Sequence, residues 1–356
     1  AHAAVNDAVE LVKRKKKKSA APFVNAVLRK VLKQQQTTPL KPKEGLNGAP
    51  NSLGHSNTPS LAELSRRYAH PLWMVERWAV RYGLEAADRI CAYDQQVPPT
   101  AIRIMDAAAE QELVAAGIEL KPGRLLSSAR VVIDGDVTKT AAFAEGRVQV
   151  QDEGSQLIAM LVGRGERLLD CCAAPGGKTA ILADRNPQSE VVATELHEHR
   201  TRELRERLRG RANVEVTRAD AAHLEITGDF DRVLADVPCS GTGTLARNPE
   251  IKWRLSQDDL ADLHARQVAI LRGALGKLRP GGRLVYSTCS LEPEENEQVV
   301  HKAGAKVLPV RDELEALRRE GTLIVGDYEA MTDGPFLRIL PGAFGTDGFF
   351  AAVVER

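Results

Sequence analysis

"ERLLDCCAAPGGKTAILADRN", residues 166–186, is the stretch on which the fold turns. It opens as an apolar run ending at Asp170, which reads as a strand. A string of small residues follows, and from Gly177 the pattern becomes helical. Small residues let a backbone approach a ligand closely, and the following helix offers unpaired N–H groups in its first turn. The stretch is neither Gly-x-Gly-x-x-Gly nor a Walker loop, which would need Gly-x-x-x-x-Gly-Lys-Ser/Thr. Taken alone, Pro-Gly-Gly could be a tight turn and nothing more.

The sequence that follows repeats the alternation. "EVVATEL" reads as a strand, "EHRTRELRERLRG" as a helix, and "NVEVTRAD" and "FDRVLADVP" as strands. "SQDDLADLHARQVAILRGALGKL" is helical, and "GRLVYSTCS" and "DGFFAAVVE" are strands again. This predicts an α/β domain over residues 151–356, a doubly wound and mostly parallel sheet with ligands beyond the carboxyl ends of its strands. Glu195 ends the second strand, 17 residues past Lys178, where nucleoside-binding folds place an acid against a ribose diol. Asp220 ends the third, in reach of an adenine amine. An acid at one strand end is often only a helix cap, but acids in register after successive strands point to one pocket.

Two further strands end in cysteine. "VLADVPCSGTGT", residues 233–244, sets Asp236 beside Cys239, and "LVYSTCSLEPEE" carries Cys289. Both thiols therefore belong to the rim that holds the small-residue loop. A thiolate suits attack on an electron-poor ring carbon, and a neighbouring carboxyl group can hydrogen-bond or protonate a ring nitrogen. Cys91 and Cys171 read as small buried hydrophobes. The five cysteines form an odd set without a Cys-x-x-Cys pair, which argues against disulfides or zinc and for a reducing cytoplasm.

Upstream the texture differs. Residues 61–94 hold helices broken near Pro71 and Gly83, and residues 100–150 mix "TAIRI", "RVVIDG" and "RVQVQD" strands with a helix near 109–116. Residues 61–150 thus form a small α+β module, and residues 34–60 a linker. Residues 1–33 contain two amphipathic helical patterns, and the opening reads as mid-helix, as in a fragment. The 356 residues are 43% hydrophobic, with no run long enough for a membrane span and no visible signal peptide. Net charge is +1, yet residues 1–60 hold eleven Lys/Arg against three Asp/Glu. The "KRKKKK" run at residues 13–18 could meet phosphates or be a solvated loop. Nothing points beyond a monomer, and the eight histidines show no metal-ligand spacing.

"DCCAAPGGKT", "ADVPCSGTGTLARNPEIKWR" and "RLVYSTCSLEPEENEQVV" resemble the signature blocks of the RNA 5-methylcytosine methyltransferases of the NOL1/NOP2/Sun family. The resemblance covers roughly residues 61–356, and "AHAAVNDAVELV…FVNAVLRKVL" is similar to the end of the NusB-like RNA-binding domain of that family's bacterial 16S rRNA branch. It implies a Rossmann-like class I methyltransferase domain preceded by an RNA-recognition module and the C-terminal helices of a NusB-like domain. It implies S-adenosyl-L-methionine held by Cys172, Ala173, Ala174, Pro175, Gly176, Gly177 and Lys178, with Glu195, Asp220 and Asp236 completing the pocket. Cys289 is then the nucleophile toward cytosine, Cys239 the thiol that assists release, and RNA (16S rRNA) the partner. Two departures stand out: only the last NusB-like helices are present, and Cys171 replaces a larger aliphatic residue. Rival readings are a nicotinamide enzyme, the same chemistry on tRNA or 23S rRNA, or an RNA-binding ribosome-assembly factor whose methylation is dispensable. The missing Gly-x-Gly-x-x-Gly counts against the first.

Overall fold

A computed structural model describes residues 59–356. The helices expected over residues 1–33, the basic run at 13–18 and nearly all of the linker lie outside the described residues. The described chain opens with α1 (Leu61–Arg67), α2 (Leu72–Tyr82) and α3 (Leu84–Tyr93). Ser60 caps α1 reciprocally: its hydroxyl accepts from Glu63 N–H at 3.3 Å, and its own N–H donates to the Glu63 carboxylate at 2.8 Å. Gly83, at φ +87°, makes the corner between α2 and α3. The apolar faces of these helices (Leu64, Met74, Trp78, Ile90) bury together with Leu245 and Leu291, from the loops that follow Cys239 and Cys289. The helices thus back the region that carries the thiols.

Next come four antiparallel strands in the order β2-β3-β1-β4: β1 (Thr100–Ile104), β2 (Glu119–Pro122), β3 (Ala129–Asp134) and β4 (Val148–Val150). Helices α4 (Ala107–Ala115) and α5 (Ala141–Ala144) share a small core with them built on Ile102, Leu113 and Val148. The short, mostly exposed strand β2 has no counterpart in the sequence reading, nor does α6 (Glu153–Leu161). In α6 eight of nine residues are buried, so no polar face marks its period.

The large sheet alternates as expected: β5 (Arg167–Asp170), α7 (Gly177–Arg185), β6 (Glu190–Glu195), α8 (Glu198–Arg207), β7 (Val214–Arg218) and β8 (Phe230–Asp236). After a short helix α9 (Ile251–Arg254) come α10 (Asp259–Leu275), β9 (Leu278–Thr288), α11 (Glu297–Ala303), β10 (Lys306–Leu308) and α12 (Val310–Arg319). The chain ends with β11 (Thr332–Asp333), β12 (Phe336–Ile339) and β13 (Phe349–Glu355). The order is β11-β12-β13-β9-β8-β5-β6-β7, with β10 paired to β13. Strands β5 to β9 run parallel, and β13 runs antiparallel to β9. Strand order reverses between β5 and β8, and at such a switch point the loops diverge and leave a crevice.

Candidate active site

The β5–α7 loop forms the floor of that crevice. It is stitched to both neighbours: Cys171 N–H donates to Leu234 O and Ala173 N–H to Thr194 O, each at 2.9 Å. The Thr179 hydroxyl donates to the Asp170 carboxylate at 2.7 Å from within the core. Burial is the main force on Asp170 and pushes its pKa up to about 7. Gly176 turns at φ +103°, and a Cβ there would come within 2.9 Å of Leu204 Cδ1. Cys171 packs with Leu169 and Val192, so a small hydrophobe fills the place expected for an aliphatic residue.

Two cavities meet over this loop. One of about 340 Å³ runs between Glu195, Asp220 and Ala222 at one end and Asp236, Cys239 and Cys289 at the other. A smaller cleft of about 130 Å³ reaches Ala173, Pro175, Gly177 and Lys178 and shares Cys172, Ala174 and Asp236 with the first. Of the loop residues named from sequence, Gly176 lines neither; its part is the turn itself. Glu195 is buried, accepts from His197 N–H at 2.9 Å and lies 3.4 Å from Arg200. The side chain of Asp220 is 47% exposed and accepts from Ala222 N–H at 3.0 Å.

Parallel pairing of β8 with β9 sets Asp236 opposite Ser287, and the chains beyond bring the two sulfurs to 3.4 Å. Lys178 Nζ lies 2.7 Å from Asp236, whose other oxygen accepts from the Ser287 hydroxyl at 2.7 Å. Burial works against the Lys178 charge, but Asp236 outweighs it and the Lys178 pKa ends above its usual value. The hydrogen bond with Cys289, then burial, push the Cys239 thiol well above its ordinary range. The small residues after Cys239 have a steric reason: a Cβ on Gly243 would meet Gly348 O at 2.5 Å and Cys289 O at 2.8 Å.

Sequence reasoning missed the groups that hold the thiols. Glu295, fully buried, accepts from Ser240 N–H at 2.8 Å and the Ser290 hydroxyl at 2.5 Å, and Gln267 of α10 donates to it at 2.9 Å. It lies in "LEPEENEQ", where four carboxylates and no apolar period give no sign of which is inside. Among the described residues no group of His, Cys, Asp or Glu could hold a metal, and no helix is long and apolar enough to cross a membrane.

A small-residue loop at the switch point of an open parallel sheet, with acids after the neighbouring strands, defines a class I methyltransferase fold. The chain belongs to the 16S rRNA methyltransferase RsmB/F family, which it matches over residues 158–355, and residues 1–33 match the NusB family. It is 34% identical to the probable ribosomal RNA small subunit methyltransferase B of Bacillus subtilis, over 99% of this chain and 78% of that protein. The Vibrio cholerae ribosomal RNA small subunit methyltransferase B is 36% identical, over 100% of this chain and 77% of that one. The crystal structure of a methyltransferase homolog from Pyrococcus horikoshii is 28% identical and superposes with a TM-score of 0.68, covering 84% of this chain and 99% of that chain. The cofactor of this fold and family is S-adenosyl-L-methionine. The residues fit it: a closely approached loop floor, two acids at one end of the cavity and the thiols at the other.

Proposed function

We propose that the protein methylates carbon 5 of a cytosine in 16S rRNA through a covalent bond between Cys289 and the base. The observation that carries this reading is the 3.4 Å thiol pair at the mouth of a cofactor-sized cavity, beside the Lys178–Asp236 ion pair. Loop residues 172–178 with Glu195, Asp220 and Asp236 are the cofactor-binding set in this reading.

S-adenosylmethionine, when bound, supplies an electrophilic methyl group. Carbon 5 of cytosine is a weak nucleophile until a thiolate adds at carbon 6. Cys289 gives its proton to water and attacks as the thiolate, its charge favoured by the Lys178 ammonium; its sulfur bonds to carbon 6 and the ring's electron pair moves toward carbon 5. Asp236, hydrogen-bonded to the Lys178 ammonium, is placed to relay a proton from it to a ring nitrogen, which draws that density further. Once Cys289 is bonded to carbon, its charge no longer favours the Cys239 proton. Cys239 can release that proton to water and then take the proton from methylated carbon 5. The carbon–sulfur bond breaks, and its electron pair returns to Cys289.

The base must leave its stack to reach the thiols, which favours an unpaired stretch of RNA. Trp253 of α9 supports such a partner. It is 67% exposed, the one exposed Trp, Tyr or Phe among the described residues. Its helix packs through Ile251 against Gly241, two residues beyond Cys239. Bases stack on exposed rings of this kind. Bisulfite mapping of 16S rRNA, 23S rRNA and tRNA from cells lacking the protein tests the reading. One 16S cytosine should lose its protection, and a loss confined to tRNA or 23S rRNA would reassign the substrate.

A further inference from the structure

We propose that Glu295 is a positioning residue that ties the Cys239 and Cys289 loops together and keeps the two thiols chemically unequal. The inference rests on the assignment of both thiols to methyl transfer made above. Its observation is separate: one buried carboxylate is bonded to the residue that follows each sulfur.

Ser240, next after Cys239, gives Glu295 both its N–H, at 2.8 Å, and its hydroxyl. Ser290, next after Cys289, gives its hydroxyl at 2.5 Å. The two serine oxygens are themselves 3.1 Å apart. Gln267 donates to Glu295 and also to Pro238 O at 2.9 Å, so the peptide before Cys239 is gripped as well. Glu295 is held in turn through its own carbonyl, which accepts from the buried Tyr286 hydroxyl at 2.6 Å. A carboxylate fixed at so many points sets the spacing of the sulfurs before any ligand arrives, as a pre-organised site requires.

The same group divides the thiols electrically. The donors to the Glu295 carboxylate are the neutral groups of Ser240, Ser290 and Gln267, so its charge is spread over hydrogen bonds and not cancelled by a cation. Two of its bonds come from Ser240 and one from Ser290, so the charge lies toward Cys239, where it adds to the Cys289 hydrogen bond and burial in favouring the thiol proton. Lys178, paired with Asp236 at 2.7 Å, is the cation whose charge reaches Cys289. A carboxylate beside one sulfur and an ammonium beside the other give the pair a direction.

A merely structural Glu295 would hold the loops without ranking the thiols, and competitive alkylation separates the two cases. The native protein is treated with limiting iodoacetamide, and the Cys239 and Cys289 peptides are quantified by mass spectrometry. Cys289 should label in preference in the parent protein. In Glu295→Gln that preference should fall about tenfold, as when one charge-assisted hydrogen bond is lost. Ser240→Ala and Ser290→Ala should each lower it by less, and they decide the matter if Glu295→Gln does not fold. In Glu295→Gln, kcat should drop while the cofactor dissociation constant stays within about twofold, because the cofactor loop is untouched. An unchanged labelling ratio in Glu295→Gln, or in both serine variants where it fails to fold, overturns the proposal. If the parent protein methylates no RNA, the function assigned above fails, yet the labelling ratio still decides the role of Glu295.

Discussion

The two ends of the main cavity are built differently. At the thiol end, residues 238, 240 and 290 are all clasped by buried groups, and Gly243 is pressed backbone to backbone against Cys289 and Gly348. At the other end Asp220 stands half exposed, held by a bond from its own turn, and only Glu195 is buried. Groups that must meet a reacting carbon within fractions of an ångström are placed by the fold in advance. Groups that recognise a nucleoside can keep some freedom and be ordered by the ligand. Substitutions at the thiol end should therefore change kcat, and those at the other end should change cofactor affinity.

The largest effect belongs to Cys289→Ala, which should abolish methyl transfer to RNA while calorimetry still shows cofactor binding. Loss of cofactor binding in that variant would mean that the two ends are not separable. Glu195→Ala comes next: removing a buried, charge-bearing contact should weaken S-adenosylmethionine by about 1.5–3 kcal/mol, roughly 10- to 150-fold. Equal affinity would remove Glu195 from the site. Asp220→Ala should cost less than about tenfold, since a half-exposed group keeps much of its hydration. A loss larger than that of Glu195→Ala would invert the contrast drawn here.

The smallest effect is on stability and comes from the floor both cavities share. Burial raises the Asp170 carboxyl to about 7, whereas an unfolded aspartate titrates near 4. Between those values the native state binds more protons than the unfolded one, so stability falls as pH rises and levels off above about 7. Asp347, pushed up to about 7 by burial and then by Asp152, acts in the same sense. Melting the parent and Asp170→Asn at about pH 5 and about pH 8 should show a shallower fall in the variant. Parallel curves would mean that Asp170 is ionised in the fold.

The parts legible in the sequence are those where residue type follows directly from backbone demand. The β5–α7 loop must be small, and strands that alternate with helices must make a parallel sheet. The thiol pair was legible because Cys239 and Cys289 each end a strand. Which strands lie side by side was set by β8 pairing with β9. Glu295 was not legible, because burial of one acid among several depends on tertiary packing alone. The same holds for α6, whose polar Glu153 and Gln156 point inward: Glu153 accepts from Leu125 and Leu126 N–H at 2.6 and 2.7 Å. Strands β10 to β12, two to four residues each, are too short for any period to register.

The division of labour between the two sulfurs is the centre of the account, and the fate of the RNA in Cys239→Ala tests it most directly. With Cys289 intact the variant should still add to carbon 6 and accept the methyl group, but release should fail. Denaturing electrophoresis after incubation with RNA and S-adenosylmethionine should then show a protein–RNA band that disappears with nuclease. Cys289→Ala, run beside it, should show none. The reverse pattern would make Cys239 the nucleophile, and activity retained in both variants with no band in either would contradict the covalent mechanism.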